Sequence, residues 1–201
     1  LAAVNGLWML VAQAKESAEW FTGEEIPDSR IAKIHHTLRL QMENIVLIGM
    51  PGCGKTAVGQ QLAQKLGKKF VDADESLEAR VCRKITDIIP NDGEAAFREM
   101  ESETLAELGK QSGLVIATGG GCVTQPQNYP LLHQNGTIFW LKRELDKLPT
   151  DGRPLSQKGT LGQMYEARMP LYLRFADAAI SNDGSIAETA SAICRKLEET
   201  T

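Results

Sequence analysis

The stretch GMPGCGKT at 49–56 constrains what this chain can fold into more than any other. It satisfies GxxxxGK[ST] and stands between the apolar run NIVLI and the helical pattern KTAVGQQLAQKLG, the strand–loop–helix context in which such a loop cradles phosphate. Backbone N–H groups of the loop and of the helix start converge on one concavity, where the helix dipole favours an anion. Lys55 can reach β- and γ-phosphates and the Thr56 hydroxyl a magnesium ion, so the nucleotide-binding stretch comprises Gly52, Cys53, Gly54, Lys55, Thr56 and Ala57. This places the protein among nucleotide handlers and leaves switches, motors and small-molecule kinases open.

From Asn44 onward strand and helix patterns alternate. NIVLIG, KKFVDAD, LVIATG, TIFWLK and AAISN read as strands; helical spacing follows at 55–67, around 93–111, after Pro126, in short pieces around 161–175, and over 185–199. Strand, helix, strand implies parallel pairing, so the expected fold is a three-layer α/β/α P-loop fold with a five-stranded parallel sheet. Ahead of it, residues 7–21 place Leu7, Leu10, Val11, Ala14, Ala18 and Phe21 on one helical face, and a turn-rich linker leads to a second helical stretch near 29–42.

Composition narrows the partners. The 201 residues carry a net charge of −4 and 5% aromatics, without the basic stripe or stacking platform that nucleic acid requires. Cys53, Cys82, Cys122 and Cys194 lie far apart with no metal-ligand spacing, which reads as isolated thiols in a reducing compartment. The N-terminal apolar stretch is interrupted by Gln13, Lys15 and Glu16, so neither a signal peptide nor a membrane span is expected, and the location expected is the cytoplasm. The chain starts without Met, as a piece of a longer protein would.

A second glycine-rich stretch, ATGGGCVT at 117–124, follows the run Leu114, Val115, Ile116. At the C-terminal end of a neighbouring strand it opens into the same crevice as the first loop, so Gly119, Gly120 and Gly121 are expected to wall the pocket of a second substrate. Thr118 stands where a metal-orienting Asp is often found, which directs attention to Asp72 and Asp74. Their period-2 spacing puts both carboxylates on one side of an extended chain, one to hold a metal and one to meet a substrate hydroxyl; alternatively they cap the next helix. Arg98, Arg153 and Arg168 sit near turns, prolines or aromatics and suit carboxylate or phosphate recognition. The competing reading of Arg98 is a helical ion pair with Glu94 or Glu101, and of the other two a surface loop position. His35 and His36, in the linker region, and His133 are read as surface or packing residues.

The set GMPGCGKT, FVDADESLE, DGEAAFREMESE, ATGGGCV, GRPLS and RMPLY, in this order, resembles shikimate kinase over about four fifths of the chain. The resemblance implies transfer of the ATP γ-phosphoryl group to the 3-hydroxyl of shikimate with Mg²⁺. It implies that Lys55, Asp74 and Arg153 are catalytic, with Arg153 reaching from a lid and Asp74 meeting the hydroxyl. Thr56 and Asp72 would serve the metal, Arg98 and Arg168 the shikimate carboxylate, with Glu101 supporting Arg98, and Gly119, Gly120 and Gly121 would border the ring. Two places depart from the family pattern. The stretch between Arg153 and Arg168 is shorter, and no arginine aligns with the adenine-stacking position, for which Arg143 or Lys147 could substitute; an adenine loop would fall near Asn182 and Asp183. Another small-metabolite kinase, such as a gluconate kinase, or a nucleotide-dependent binding module are the alternatives.

The segment NGLWMLVAQAKESAEWFTG resembles the closing helix of shikimate dehydrogenase. No GxGxxG follows a strand, so no dehydrogenase activity is expected. The expected organisation is a helical tether over 1–42, trailing a fused dehydrogenase, and a kinase domain over 43–201.

Overall fold

The computed structural model describes residues 6–148 and 158–199. The chain divides into two compact units, one ending at Met42 and the other starting at Glu43.

The first unit pairs two helices, α1 (Leu7–Thr22) and α2 (Asp28–Met42). Gly23 ends α1 in the left-handed conformation, φ 70°, and its N–H donates to the Glu19 carbonyl at 2.8 Å. The connection is tied by Glu19 Oε1, which accepts from the Ile26 N–H at 2.7 Å, and by the ion pair of Lys15 with Asp28. Trp8 meets His35 edge-on at 4.6 Å between ring centroids. His35 and His36 therefore belong to α2 and not to a linker, because the helix begins at Asp28 and runs through them.

The second unit is a five-stranded parallel sheet in the order β2-β3-β1-β4-β5. Its strands are β1 (Asn44–Ile48), β2 (Lys69–Asp72), β3 (Leu114–Ala117), β4 (Gly136–Lys142) and β5 (Ala178–Ser181). β1 is flanked on both sides, with Val46 opposite Ile116 of β3 and Ile138 of β4, and all five of its residues are buried. That double burial is why NIVLI reads as continuous apolar residues after Asn44. The Asn44 side chain is satisfied, donating to the Gln111 carbonyl at 2.7 Å and accepting from the Leu114 N–H at 2.9 Å.

Helix α3 (Lys55–Leu66) carries the chain one way, from β1 to β2. Helices α4 (Ala73–Val81), α5 (Ile85–Gly109), α6 (Asn128–His133) and α7 (Lys158–Phe175) carry it the other way, from β2 through β3 and β4 to β5. Right-handed crossovers of opposite direction put α3 on one face of the sheet and the remaining crossover helices on the other. The last helix, α8 (Ile186–Glu199), returns to pack on α3.

Three expectations need correction. A full helix, α4, follows β2 where the chain was expected to stay extended through Asp74. The helix expected around 93–111 is preceded by a helical stretch over 85–92 that the sequence did not suggest; Gly93, with φ 88° and ψ 163°, is not helical, so α5 is two helices joined at a kink there. The pieces expected around 161–175 form the single helix α7.

Candidate active site

Helix α3 starts at the C-terminal end of β1, with Gly54 as N-cap and no capping side chain, so its first N–H groups face the loop's concavity. Lys55 is buried within this loop, 9% exposed, and its ammonium donates to the carbonyls of Gly49 at 2.9 Å and Met50 at 3.0 Å. One positive charge thus lies beside the dipole's positive end, a pairing that only a strong anion balances.

Asp72 closes β2 and does two things at once. Its Oδ1 caps α4, accepting from the N–H groups of Asp74 at 3.0 Å and Glu75 at 3.4 Å, and its Oδ2 accepts from the Thr56 hydroxyl at 3.0 Å. Capping and site-building were alternatives in the sequence; here the same carboxylate serves both. A hydroxyl and a carboxylate side by side at a helix N-terminus are hard oxygen donors, and they suit a small cation that takes its other ligands from phosphate and water. Among the described residues no cluster of three His, Cys, Asp or Glu forms a self-sufficient metal cage.

Asp74 does not share an extended chain with Asp72, because Asp72 is the cap and the backbone turns into α4 at Ala73. It lies in the first helical turn, where burial, and then the charge of Asp72, push its carboxyl above the usual value near 3.8. Lys55 and Arg98 act against that rise, which places both cations within electrostatic reach of it.

Arg98, on α5, bonds Glu101 at 2.8 Å and Glu94 at 3.0 Å, so the helical ion pair is present. Unlike a solvated pair it is sunk into the protein: the Glu101 side chain is 3% exposed and that of Arg98 13%. Burial opposes the Arg98 charge, and the two carboxylates outweigh it. Burial also drives the Glu101 carboxyl upward despite the guanidinium beside it. Arg98 Nε and Glu101 Oε1 are buried without hydrogen-bond partners among the described residues.

The triple glycine after β3 lies where these groups meet. A Cβ on Gly119 would stand 2.7 Å from Glu101 Oε1 and 2.8 Å from Asp74 Oδ1. On Gly120 it would meet Pro51 of the phosphate loop at 2.7 Å, and on Gly121 Arg98 Nη2 at 2.4 Å. The close approach was expected from a substrate; the side chains crowding the three Cβ directions belong to the protein itself. The Gly120 carbonyl in turn accepts from Arg168 Nη1 at 3.1 Å and from the Tyr172 hydroxyl at 2.6 Å. Tyr172 is buried, stacked on Trp140 at 5.7 Å, and one helical turn beyond Arg168. Its place in the site had one sequence signal, the i+4 spacing from Arg168 in RMPLY.

Lys55, Thr56, Asp72, Asp74, Arg98, Arg168 and the glycines therefore gather at the C-terminal ends of β1, β2 and β3, the crevice where open α/β sheets bind ligands. Arg153 lies outside the described residues. Of the residues near the expected adenine loop, Lys147 is engaged by Glu144 at 2.7 Å, whereas Arg143 Nη1 comes within 3.7 Å of a Cβ built on Gly54. His133 pairs with Asp177 at 3.1 Å, which fits its reading as a packing residue.

Known proteins resemble this chain in sequence and fold. The family model described as shikimate kinase matches residues 51–198. A curated shikimate kinase of Prochlorococcus marinus is 39% identical over 170 residues, covering 80% of this chain and 85% of the relative. One from Thermosynechococcus vestitus is 40% identical over 171 residues, covering 81% and 91%. Among solved structures, shikimate kinase from Acinetobacter baumannii in complex with shikimate superposes with a TM-score of 0.76 at 32% identity, over 83% of this chain and 98% of its own. The phosphate loop from Pro51 onward, the paired carboxylates, the buried arginine and the glycine wall fall inside the matched region, and the chain belongs to the shikimate kinase family.

Proposed function

We propose that the protein transfers the γ-phosphoryl group of ATP to the 3-hydroxyl of shikimate. The observation that carries this reading is the convergence of Arg98, Arg168 and the desolvated Asp74 on a bare glycine wall beside the phosphate loop. An acceptor with a carboxylate at one end and a hydroxyl at the other matches two arginines and an aspartate set around one glycine segment.

Phosphoryl transfer needs alignment and charge neutralisation more than covalent chemistry. Lys55 and the α3 N–H groups bind the phosphates. Thr56 and Asp72 would hold Mg²⁺, which when bound neutralises phosphate charge. Arg98, braced by Glu101, and Arg168 orient the acceptor through its carboxylate. Asp74 accepts the hydroxyl proton, and its raised affinity for protons makes it a stronger base than a solvated aspartate. Arg153 would stabilise the transferring group. A cytoplasmic location is part of the proposal; separately, no helix among the described residues is long and apolar enough to cross a membrane. Residues 1–42 are proposed as the tail of a shikimate dehydrogenase joined to the kinase, on the likeness of the α1 segment alone.

The test is ADP release from ATP and Mg²⁺ with shikimate, quinate, gluconate or no acceptor. Shikimate is expected to dominate. Turnover with shikimate no faster than with water alone would falsify the assignment, and preference for gluconate would move it to another sugar-acid kinase.

Arg168→Ala is expected to raise the shikimate KM by about 10–100-fold, the worth of one charge-assisted hydrogen-bonded pair, and to leave the ATP KM near wild type. An unchanged shikimate KM would remove Arg168 from the carboxylate site.

A further inference from the structure

We propose that Asn182 is a positioning residue for nucleotide binding, acting as a latch that holds the peptide between Cys53 and Gly54 in its phosphate-binding orientation. Asn182 follows β5 and is 3% exposed. Its Nδ2 donates to the Cys53 carbonyl at 2.6 Å, and its Oδ1 accepts from the Thr189 hydroxyl of α8 at 2.7 Å. The acceptor on Cys53 is a carbonyl, so the amide orientation follows from the chemistry of the bond.

The consequence lies in the geometry of a peptide unit. A trans peptide is planar, with C=O and N–H pointing in opposite directions, so fixing the Cys53 oxygen outward fixes the Gly54 N–H inward, toward the loop's concavity. Gly54 has φ 96°. Rotating the peptide by half a turn would carry φ to a negative value that glycine adopts as readily, and nothing in the Gly54 backbone itself selects between the two. The rotated form would aim a carbonyl oxygen at the phosphate in place of a donor, turning attraction into repulsion. The same Asn182 Nδ2 lies 2.7 Å from where a Gly54 Cβ would be, so amide and glycine are packed as one unit. Thr189 prevents the amide from turning away, and the Asn182 N–H, bonded to the Lys142 carbonyl at 2.7 Å, anchors the backbone beneath it.

This inference rests on nucleotide binding by the loop and not on the identity of the acceptor. The experiment is direct ADP binding by calorimetry, well below the thermal midpoint, for wild type, Asn182→Ala and Thr189→Val, with KM measured for both substrates. Asn182→Ala is expected to weaken ADP about tenfold and raise the ATP KM in step, with the shikimate KM within twofold. Thr189→Val, which keeps the amide but frees its oxygen, is expected to shift ADP affinity the same way by about threefold. A lower thermal midpoint with unchanged ADP affinity overturns the latch, as does parallel weakening of ADP and shikimate. If Asn182→Ala does not fold, Thr189→Val decides alone, and wild-type ADP affinity in it overturns the proposal. These readouts hold even if the acceptor is not shikimate, because ADP binding is measured without it.

Discussion

Replacing Lys55 by Ala is expected to lower turnover by about a thousandfold, the largest effect of any single substitution in the site. The ammonium is the one side-chain cation buried inside the phosphate loop, and donors aimed at charge that develops in the transition state are commonly worth ~10²–10³ in rate each. A second contribution comes from the loop itself. Lys55 also ties the carbonyls of Gly49 and Met50 together; without it both lose the ammonium, and Met50 keeps the Cys53 N–H at 3.2 Å. The loss should therefore appear in kcat and in the ATP KM together, read from steady-state ADP release. A variant retaining more than about a tenth of wild-type turnover would exclude Lys55 from the chemistry.

Asp74→Asn is expected to cost about 10²–10³ in turnover and, in the opposite direction, to stabilise the fold. Burial, then the charge of Asp72, raise the Asp74 carboxyl, so the folded state holds that proton more tightly than the unfolded chain does. The stability this contributes is fully present below the unfolded value near 3.8 and is lost as pH rises through the raised folded value. At neutral pH the wild type carries an ionised group that its surroundings disfavour, whereas the neutral amide carries none. The thermal midpoint of Asp74→Asn should exceed that of wild type at pH 7, with the gain vanishing in acid. Equal midpoints at both pH values would mean that Asp74 is not desolvated in solution. The same titration predicts that wild-type kcat/KM rises with pH through the folded value, since the base must be ionised to take a proton.

The parts of this molecule that were legible in its sequence are those in which a short segment carries its own physics. Buried strands betray themselves as apolar runs, and a phosphate loop needs glycines and a lysine at fixed spacing, so β1 and Lys55 could be read from 44–56 alone. The turn at Asp72 could not. FVDADE is compatible with a strand that continues and with one that ends in a cap, and what decides is Thr56, 16 residues earlier, sharing the same carboxylate. The hold of Asn182 on Cys53 spans 129 residues and has no local pattern at all. Glycines pose a subtler difficulty: a missing Cβ shows that something comes close without saying what, and at 119–121 it was Glu101, Asp74, Pro51 and Arg98.

The glycine wall also bears on how this site can change over time. With all three Cβ directions occupied by the protein's own atoms, no side chain can be added at 119, 120 or 121 without displacing an arginine, a carboxylate or the phosphate loop. A side chain there would act on the acceptor site only through those neighbours, so a change of acceptor is expected to begin on α4, α5 or α7, whose residues face the wall.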